Sequence, residues 1–247
     1  MGDYIFNGAL YLIAISFLIF SFVKDKKKTK TALLKAWKSF ENILPMLLGI
    51  IIIVGILIAE ANLRPLVELK QTKVVRIIKG TSLHEFGEGS SSITIDKLLR
   101  NSYPNKDIKS LYHGLLTIGD FTIDYSHHGA SAGRRDWLKG NEARFYLRNI
   151  MYSEIKLGNK PANLYLRAHY HEPLVEWLSM GMLEEEYESW FCILPSLCMI
   201  DDYARKVTSS KFIVTNGIYT FEIINDALYK IHKFKKTLDI RTKEEIE

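Results

Sequence analysis

Five of the seven histidines lie in three short clusters, an arrangement expected of a metal site. The clusters occupy residues 81–85, 126–129 and 167–171, and they contain His84, His127, His128, His169 and His171. Neutral imidazole is the commonest metal ligand in proteins. A divalent ion polarises a phosphoryl oxygen and brings the pKa of a bound water close to neutrality. The alternative is that these histidines are unrelated surface or helix-capping residues.

The neighbours of the histidines suggest further roles. His169 and His171 are two residues apart, so on a continuing strand both would face the same side, and in a tight loop both could reach one ion. Gly129 follows His128 and permits a sharp turn of the backbone. Arginine binds phosphate through a two-pronged fork, and carboxylates orient metal-bound imidazoles. Candidate phosphate contacts are Arg134, Arg135 and Arg167, and candidate orienting carboxylates are Glu85 and Glu172; each of these could instead be a solvated surface residue.

Two clusters follow runs of strand character. Residues 112–118 and 121–126 are predicted strands joined by Gly119-Asp120, a two-residue hairpin signal. The second strand delivers His127 and His128 at its end. A short strand over residues 163–166 delivers His169 and His171 in the same way.

The remaining segments predict a mixed α/β domain over residues 64–247. A short β-branched strand is predicted at residues 73–79, and the Gly- and Ser-rich residues 86–92 are predicted to form a loop. Apolar residues at helical spacing predict a helix over residues 137–157, before Gly158. Near the C-terminus, residues 212–224 and 228–234 flank Asn225-Asp226 and predict a second hairpin.

The first 63 residues have a different character and predict two transmembrane helices. Residues 4–23 contain no charged side chain, and residues 43–59 have no polar face at any helical phase. A cleaved signal peptide is the less favoured interpretation of the first segment, because Asp3 stands where a basic region is required. The second segment could alternatively be a buried core helix.

The connector between the two predicted spans is rich in lysine. Residues 24–30 contain five lysines, and Lys35 and Lys38 follow among apolar residues at helical spacing. This pattern predicts an amphipathic helix on an anionic membrane surface, and the alternative is a solvated loop. By the positive-inside rule the connector is cytoplasmic and residues 64–247 are outside, although basic residues also flank the second span.

Charge and cysteine content exclude some classes of protein. The formal net charge of +5 owes much to the lysines beside the predicted spans, so it is poor evidence for nucleic-acid binding. Cys192 and Cys198 lie in an apolar stretch and cannot define a disulfide framework. Both are predicted to be buried thiols.

From about residue 73 onward the chain resembles the C-terminal part of calcineurin-like metallophosphoesterases. Residues 78–85 are similar to a lengthened Gly-Asn-His-Asp/Glu turn of that family, residues 125–129 to its His after a strand, and residues 166–171 to its Gly-His-x-His pair. The resemblance implies a partial β-sandwich flanked by helices. It also implies a manganese, iron or zinc ion held by the five clustered histidines, and hydrolysis of a phosphate ester.

Some of the family's motifs are missing. Its Asp-x-His and Gly-Asp-x-x-Asp/Glu motifs, which supply a second metal's ligands, have no counterpart upstream of Gly80. Thr81 stands where the family has a metal-binding Asn, and Ala168 where it has Gly. A partner chain could supply the missing carboxylates.

Residues 1–60 resemble the opening hairpin of a family of predicted membrane permeases. The similarity rests on residues 22–30 and on the Leu-Pro step at residues 44–45, which begins the second span. No later segment is long and apolar enough to be a further span.

The sequence therefore predicts an integral membrane protein carrying a metallophosphoesterase-like domain. Its substrate would be a phosphate ester, either a small molecule or a nucleic acid. The alternatives are a non-catalytic fusion or degenerate protein that joins a permease fragment to an incomplete phosphoesterase domain, and a subunit of a membrane permease.

Overall fold

The computed structural model describes residues 2–80, 90–133, 135–182, 184–197, 213–239 and 241. The chain divides into two compact units, Met1–Leu66 and Val67–Glu247. The architecture is mixed α/β, as predicted. The partial β-sandwich of the metallophosphoesterase resemblance stays a prediction, because the described strands form one five-stranded sheet and two separate pairs.

Two helices make up nearly all of the N-terminal unit. They are α1, Gly2–Lys24, and α2, Lys26–Glu68. The hydroxyl oxygens of Ser21 and Thr29 lie 2.7 Å apart. Eight residues of straight helix span about 12 Å. The chain must therefore bend sharply at Asp25, between the two helices.

Helix α2 differs from the prediction because the lysine-rich connector and the second predicted span form one helix of 43 residues. Lys, Leu and Ala in the connector favour helix, and no turn signal separates them from the apolar segment. Pro45 lies inside α2, where proline removes one backbone hydrogen bond and bends a helix without having to end it. Helix α2 is long and apolar enough to cross a membrane, and its apolar segment is exposed. A packed hairpin of two spans stays a prediction.

The second unit begins with a parallel pair of strands connected by a helix. The elements are β1, Val74–Ile78, α3, Ser90–Ser102, and β2, Asp107–Leu111. The predicted loop over residues 86–92 was wrong for residues 90–92, which form the first turn of α3. Ser92, Asp96 and Leu99 are buried at i, i+4 and i+7, so the helix is fixed by one buried face.

The central sheet has five strands in the order β3-β4-β5-β7-β6. They are β3, His113–Ile118; β4, Phe121–Ser126; β5, Leu164–Arg167; β6, Leu174–Met182; and β7, Glu185–Ile193. The predicted hairpin at Gly119-Asp120 is confirmed, and β4 runs parallel to β5. Strands β6 and β7 were not predicted, because acidic residues interrupt their apolar pattern.

Helix α4, Asn141–Lys156, covers one face of this sheet. Its buried Ala143, Leu147 and Met151 belong to a core cluster that includes Tyr165 and Phe191 of the sheet. The predicted helix began too early. A short 3-10 helix, Asp136–Leu138, comes first, and Gly140 at φ 90° separates it from α4.

A long hairpin contributes to the core on the other face. It consists of β8, Ile213–Ile224, and β9, Ala227–Asp239. Apolar side chains of the hairpin, including Tyr219 and Phe221, pack with the cluster that contains the buried Cys192. The predicted Asn225-Asp226 turn is confirmed, since both residues have the positive φ of a tight hairpin turn. The buried state predicted for Cys192 is confirmed, whereas Cys198 lies outside the described residues.

Candidate metal centre

The carboxyl ends of β4 and β5 place two histidine segments at the same edge of the sheet. In the parallel register Ser126 is level with Arg167, the last residue of each strand. Beyond the strands, the Ala168 N–H donates a hydrogen bond to the His127 carbonyl at 3.1 Å. The two segments therefore leave the sheet side by side, and imidazoles distant in sequence become neighbours.

Three imidazoles converge at this edge. One nitrogen each from His127, His128 and His169 lies within 4.8 Å of the others. His127 Nε2 and His169 Nδ1 are 3.1 Å apart. Two nitrogens about 2.0–2.1 Å from one ion at the tetrahedral angle are about 3.4 Å apart. The three donors consequently fit one divalent transition metal after small side-chain rotations.

The segment after β5 has an uncommon backbone. His169 has φ 69° and His171 has φ 53°, both in the left-handed region. This conformation costs of order 1–3 kcal/mol for a residue other than glycine, and such residues concentrate at functional sites. A hydrogen bond from the Tyr170 N–H to the Ala168 carbonyl at 2.9 Å closes a tight turn around His169. The turn directs the His169 ring towards those of His127 and His128.

An ion pair between Arg167 and Asp124 packs against the strand ends from which the histidine segments leave the sheet. The Arg167 side chain is 2% exposed, and its Nη1 lies 2.6 Å from Asp124 Oδ1. Its guanidinium also donates to the backbone carbonyl of Leu166 at 2.9 Å and lies over the rings of Tyr146 and Tyr165. These contacts fix the end of β5, from which His169 follows two residues later.

Gly129 and Ser126 shape the other histidine segment. A Cβ at Gly129 would lie 2.5 Å from Arg167 Cγ, so the backbone can pass the arginine only without a side chain. The Ser126 hydroxyl donates to the His128 carbonyl at 2.9 Å. Tyr165 lies beneath, and burial raises its pKa to about 12, so this phenol stays neutral. These contacts hold the histidine segment against the Arg167 side chain.

The predicted ligands divide into three groups. His127, His128 and His169 come together, whereas His171 is not in this group. His84 lies outside the described residues. The sequence allowed His169 and His171 to reach one ion either from a continuing strand or from a tight loop. Strand β5 ends at Arg167, so the strand alternative does not apply, and a turn with positive φ at both histidines follows.

The structure describes three of the five residues that were predicted to contact phosphate or to orient metal ligands. Arg135 is exposed, and Arg134 and Glu85 lie outside the described residues. Arg167 is buried against Asp124, so its guanidinium does not face solvent. Glu172 forms an ion pair with Lys139 at 2.7 Å. Of the two predicted phosphate contacts that the structure describes, Arg135 is exposed enough to meet a phosphate from solvent.

Two residues of the site were not predicted, His113 and Asp124. His113 Nε2 lies 2.7 Å from Asp124 Oδ2, so the Asp124 carboxylate bridges His113 and Arg167. A signal for Asp124 was present in the sequence. It is a charged residue in the middle of a predicted apolar strand, and buried charges require a partner.

No protein-family model matches the sequence, and no curated protein matches it.

Proposed function

We propose that this protein is a membrane-anchored, metal-dependent hydrolase of phosphate esters. The observation that carries the proposal is the convergence of His127, His128 and His169 at the ends of two adjacent parallel strands. Loops at strand ends are a common location for binding and catalytic residues. The left-handed backbone at His169 adds support, because it is a conformational cost that the metal site explains.

Three imidazoles suit a metal with an open coordination position. Catalytic zinc sites often have three protein ligands and leave the fourth position for water or substrate. Manganese, iron and zinc are all compatible with imidazole ligands. A divalent ion bound there would supply Lewis acidity, which activates water and polarises the ester. The exposed Arg135 is our candidate for binding the phosphate of the substrate.

The membrane part of the proposal rests on the N-terminal unit. Helix α2 has the length and apolar composition of a membrane span, and apolar side chains of α1 from Tyr11 onward are exposed as well. Exposed apolar surface of this extent is unfavourable in water. We infer that both helices insert in a cell membrane as a hairpin, with the lysines of residues 24–30 at its surface. The positive-inside rule then favours the catalytic domain on the outer side.

The metallophosphoesterase resemblance enters as part of the same proposal. A parallel strand pair ending in histidines and a closing hairpin are compatible with a partial version of that fold. The second metal of that family would need carboxylates, and within the described residues no carboxylate joins the three-histidine group. We therefore propose one ion per chain, with any second set of ligands supplied by a partner chain.

The same lack of carboxylates favours a second candidate. A non-catalytic or degenerate protein, formed by fusion of a permease-like hairpin to an incomplete phosphoesterase domain, would retain the metal and lack turnover. A permease subunit is a third candidate, supported by the N-terminal resemblance alone.

Hydrolysis by the metal-loaded protein separates these candidates. The full chain would be purified in detergent, loaded with manganese or zinc, and assayed with bis-p-nitrophenyl phosphate and p-nitrophenyl phosphate. We expect turnover that is lost on chelation and lost in the double variant His127→Ala, His169→Ala. Stoichiometric metal without turnover on any ester would favour the non-catalytic protein. If the purified protein bound no metal, neither the hydrolase nor the non-catalytic metal-binding protein would be supported.

A further inference from the structure

His113 lies at the same edge of the sheet as the three metal-binding histidines without being one of them. It begins β3 and pairs with Ser126 in the antiparallel register. Paired residues of this kind have Cα atoms about 4.5–5.5 Å apart, and their side chains leave the sheet on the same face. Ser126 in turn pairs with Arg167. His113, Ser126 and Arg167 thus form the last row of the sheet before the histidine segments.

The imidazole of His113 is oriented by a fixed carboxylate. Asp124 is 17% exposed, and its two oxygens are divided between two partners, with Oδ1 2.6 Å from Arg167 Nη1 and Oδ2 2.7 Å from His113 Nε2. Arg167 is held by the core, so Asp124 cannot easily turn away. A carboxylate acceptor fixes Nε2–H as the donor, which leaves Nδ1 for another partner.

The His113 ring is also accessible, since its side chain is 58% exposed. A carboxylate-bound histidine that is buried could be purely structural. In this pair the carboxylate is held by the buried Arg167, whereas the His113 ring faces solvent. This arrangement is typical of a positioned proton donor, in which a carboxylate orients the imidazole and the other ring nitrogen faces the reactant.

We propose that His113 is the general acid of the phosphoester hydrolysis and that Asp124 positions it. This inference rests on the proposed function. Water attacks phosphorus and forms the new P–O bond while the bond to the leaving oxygen breaks. The His113 imidazolium gives its Nδ1 proton to that leaving oxygen and becomes the neutral Nε2–H tautomer. The attacking water releases a proton to solvent, and His113 regains one from solvent.

The dependence on the leaving group tests the proposed role. p-Nitrophenolate leaves readily without a proton, whereas an alkoxide needs one. In the manganese-loaded full chain, we expect His113→Gln to reduce kcat on methyl and phenyl phosphate esters by about 100-fold or more and to change kcat on the p-nitrophenyl esters little. Asp124→Asn should act in the same direction with a smaller loss.

A matched control exists on the β8–β9 hairpin. His232 Nε2 lies 3.2 Å from Glu222 Oε2, which is a similar histidine–carboxylate pair in a different part of the fold. His232→Gln should leave both classes of ester unaffected. An equal loss on all esters in His113→Gln, with manganese content unchanged, would overturn the general-acid role.

A second readout does not depend on turnover. Nitrogen-15 NMR of the metal-free chain, with imidazole-labelled histidine, reports which ring nitrogen of neutral His113 carries the proton. We expect the Nε2–H tautomer, converted to a mixture in Asp124→Asn. A dominant Nδ1–H tautomer would overturn the positioning role of Asp124. Wild-type protein that holds manganese but hydrolyses no ester would contradict the proposed function itself, and the general-acid role would fail with it.

Discussion

Two parts of the sheet region each pair a histidine with a carboxylate, and they differ in what lies behind the carboxylate. Within β4, Asp124 connects His113 to the buried Arg167. On the hairpin, Glu222 pairs with His232, is 45% exposed, and has no buried cation behind it in the described residues. The first pair adjoins three further histidines, whereas His232 stacks on Phe234.

This difference shows that the residue types alone do not define a site here. Both pairs contain the same chemical groups at hydrogen-bond distance. The β4 pair is set apart by burial of the carboxylate and by the adjacent parallel strands, which bring distant segments together. We expect substitutions to have large effects at the strand ends and small effects at the hairpin.

Metal affinity should give the largest contrast between the two regions. His169→Ala removes one of three ligands, so we expect the manganese or zinc affinity to fall by at least about 100-fold. His232→Ala should leave the affinity unchanged. Isothermal titration of the full chain in detergent measures both. Equal losses in the two variants would mean that the strand-end histidines are not a preferred metal site.

Folding stability should differ as well. Asp124→Ala leaves the guanidinium of Arg167 buried without its counter-ion, and removing one partner of a buried pair costs about 3–5 kcal/mol. Glu222→Ala removes one partner of an exposed pair, so its cost should be about 0–1 kcal/mol. Denaturant unfolding followed by circular dichroism measures both. A similar small loss in each would show that the Arg167 pair is not anchored as described.

A third contrast concerns Gly129. An added methyl group would lie 2.5 Å from Arg167 Cγ, so we expect Gly129→Ala to cost about 1–3 kcal/mol of folding free energy and to weaken metal binding. Gly181→Ala in β6 is the control, because its added methyl would meet nothing nearer than 4.0 Å. Thermal unfolding without manganese compares the folding stability of the two variants, and the shift in unfolding temperature on adding manganese compares their metal binding. No difference between the two variants would contradict the close passage of the chain over Arg167.

The smallest expected effect concerns Cys192, beneath the hairpin. Burial raises the pKa of its thiol to about 12 from an ordinary value of 9.0. The unfolded thiol loses its proton first as the pH rises, so this group's contribution to stability is present below pH 9 and is lost between pH 9 and about 12.

In a Cys198→Ser background, we expect iodoacetamide at pH 8 to modify Cys192 only when the protein opens. Fast labelling of the folded protein would show that the hairpin does not cover this face.

The sequence predicted local elements well wherever apolar periodicity and turn residues agreed. The Gly119-Asp120 and Asn225-Asp226 hairpins and the end of β4 at Ser126 illustrate this. It also predicted that His127 and His169 follow strands. It could not predict that β4 and β5 are neighbours, because strand pairing depends on contacts between segments about 40 residues apart.

Two features of the strand-end region could not be predicted from the sequence, for the same physical reason. His171 was predicted to share an ion with His169, on a continuing strand or in a tight loop, and in the turn after Arg167 it does not join the three-histidine group. Arg167 was predicted as a phosphate contact because the bidentate fork of arginine suits phosphate, yet its side chain is buried beside Asp124. A local residue pattern does not show where a strand ends or which strand becomes its neighbour, and both features depend on this.

The most direct test of the central claim is the coordination of a metal loaded into the full-length protein. Zinc content by mass spectrometry and the zinc X-ray absorption spectrum would be measured for the wild type and for the double variant His127→Ala, His169→Ala. We predict one zinc per chain with three imidazole nitrogens at about 2.0–2.1 Å, and loss of that signal in the variant. Zinc bound with fewer imidazoles, or equally well by the variant, would contradict the metal centre.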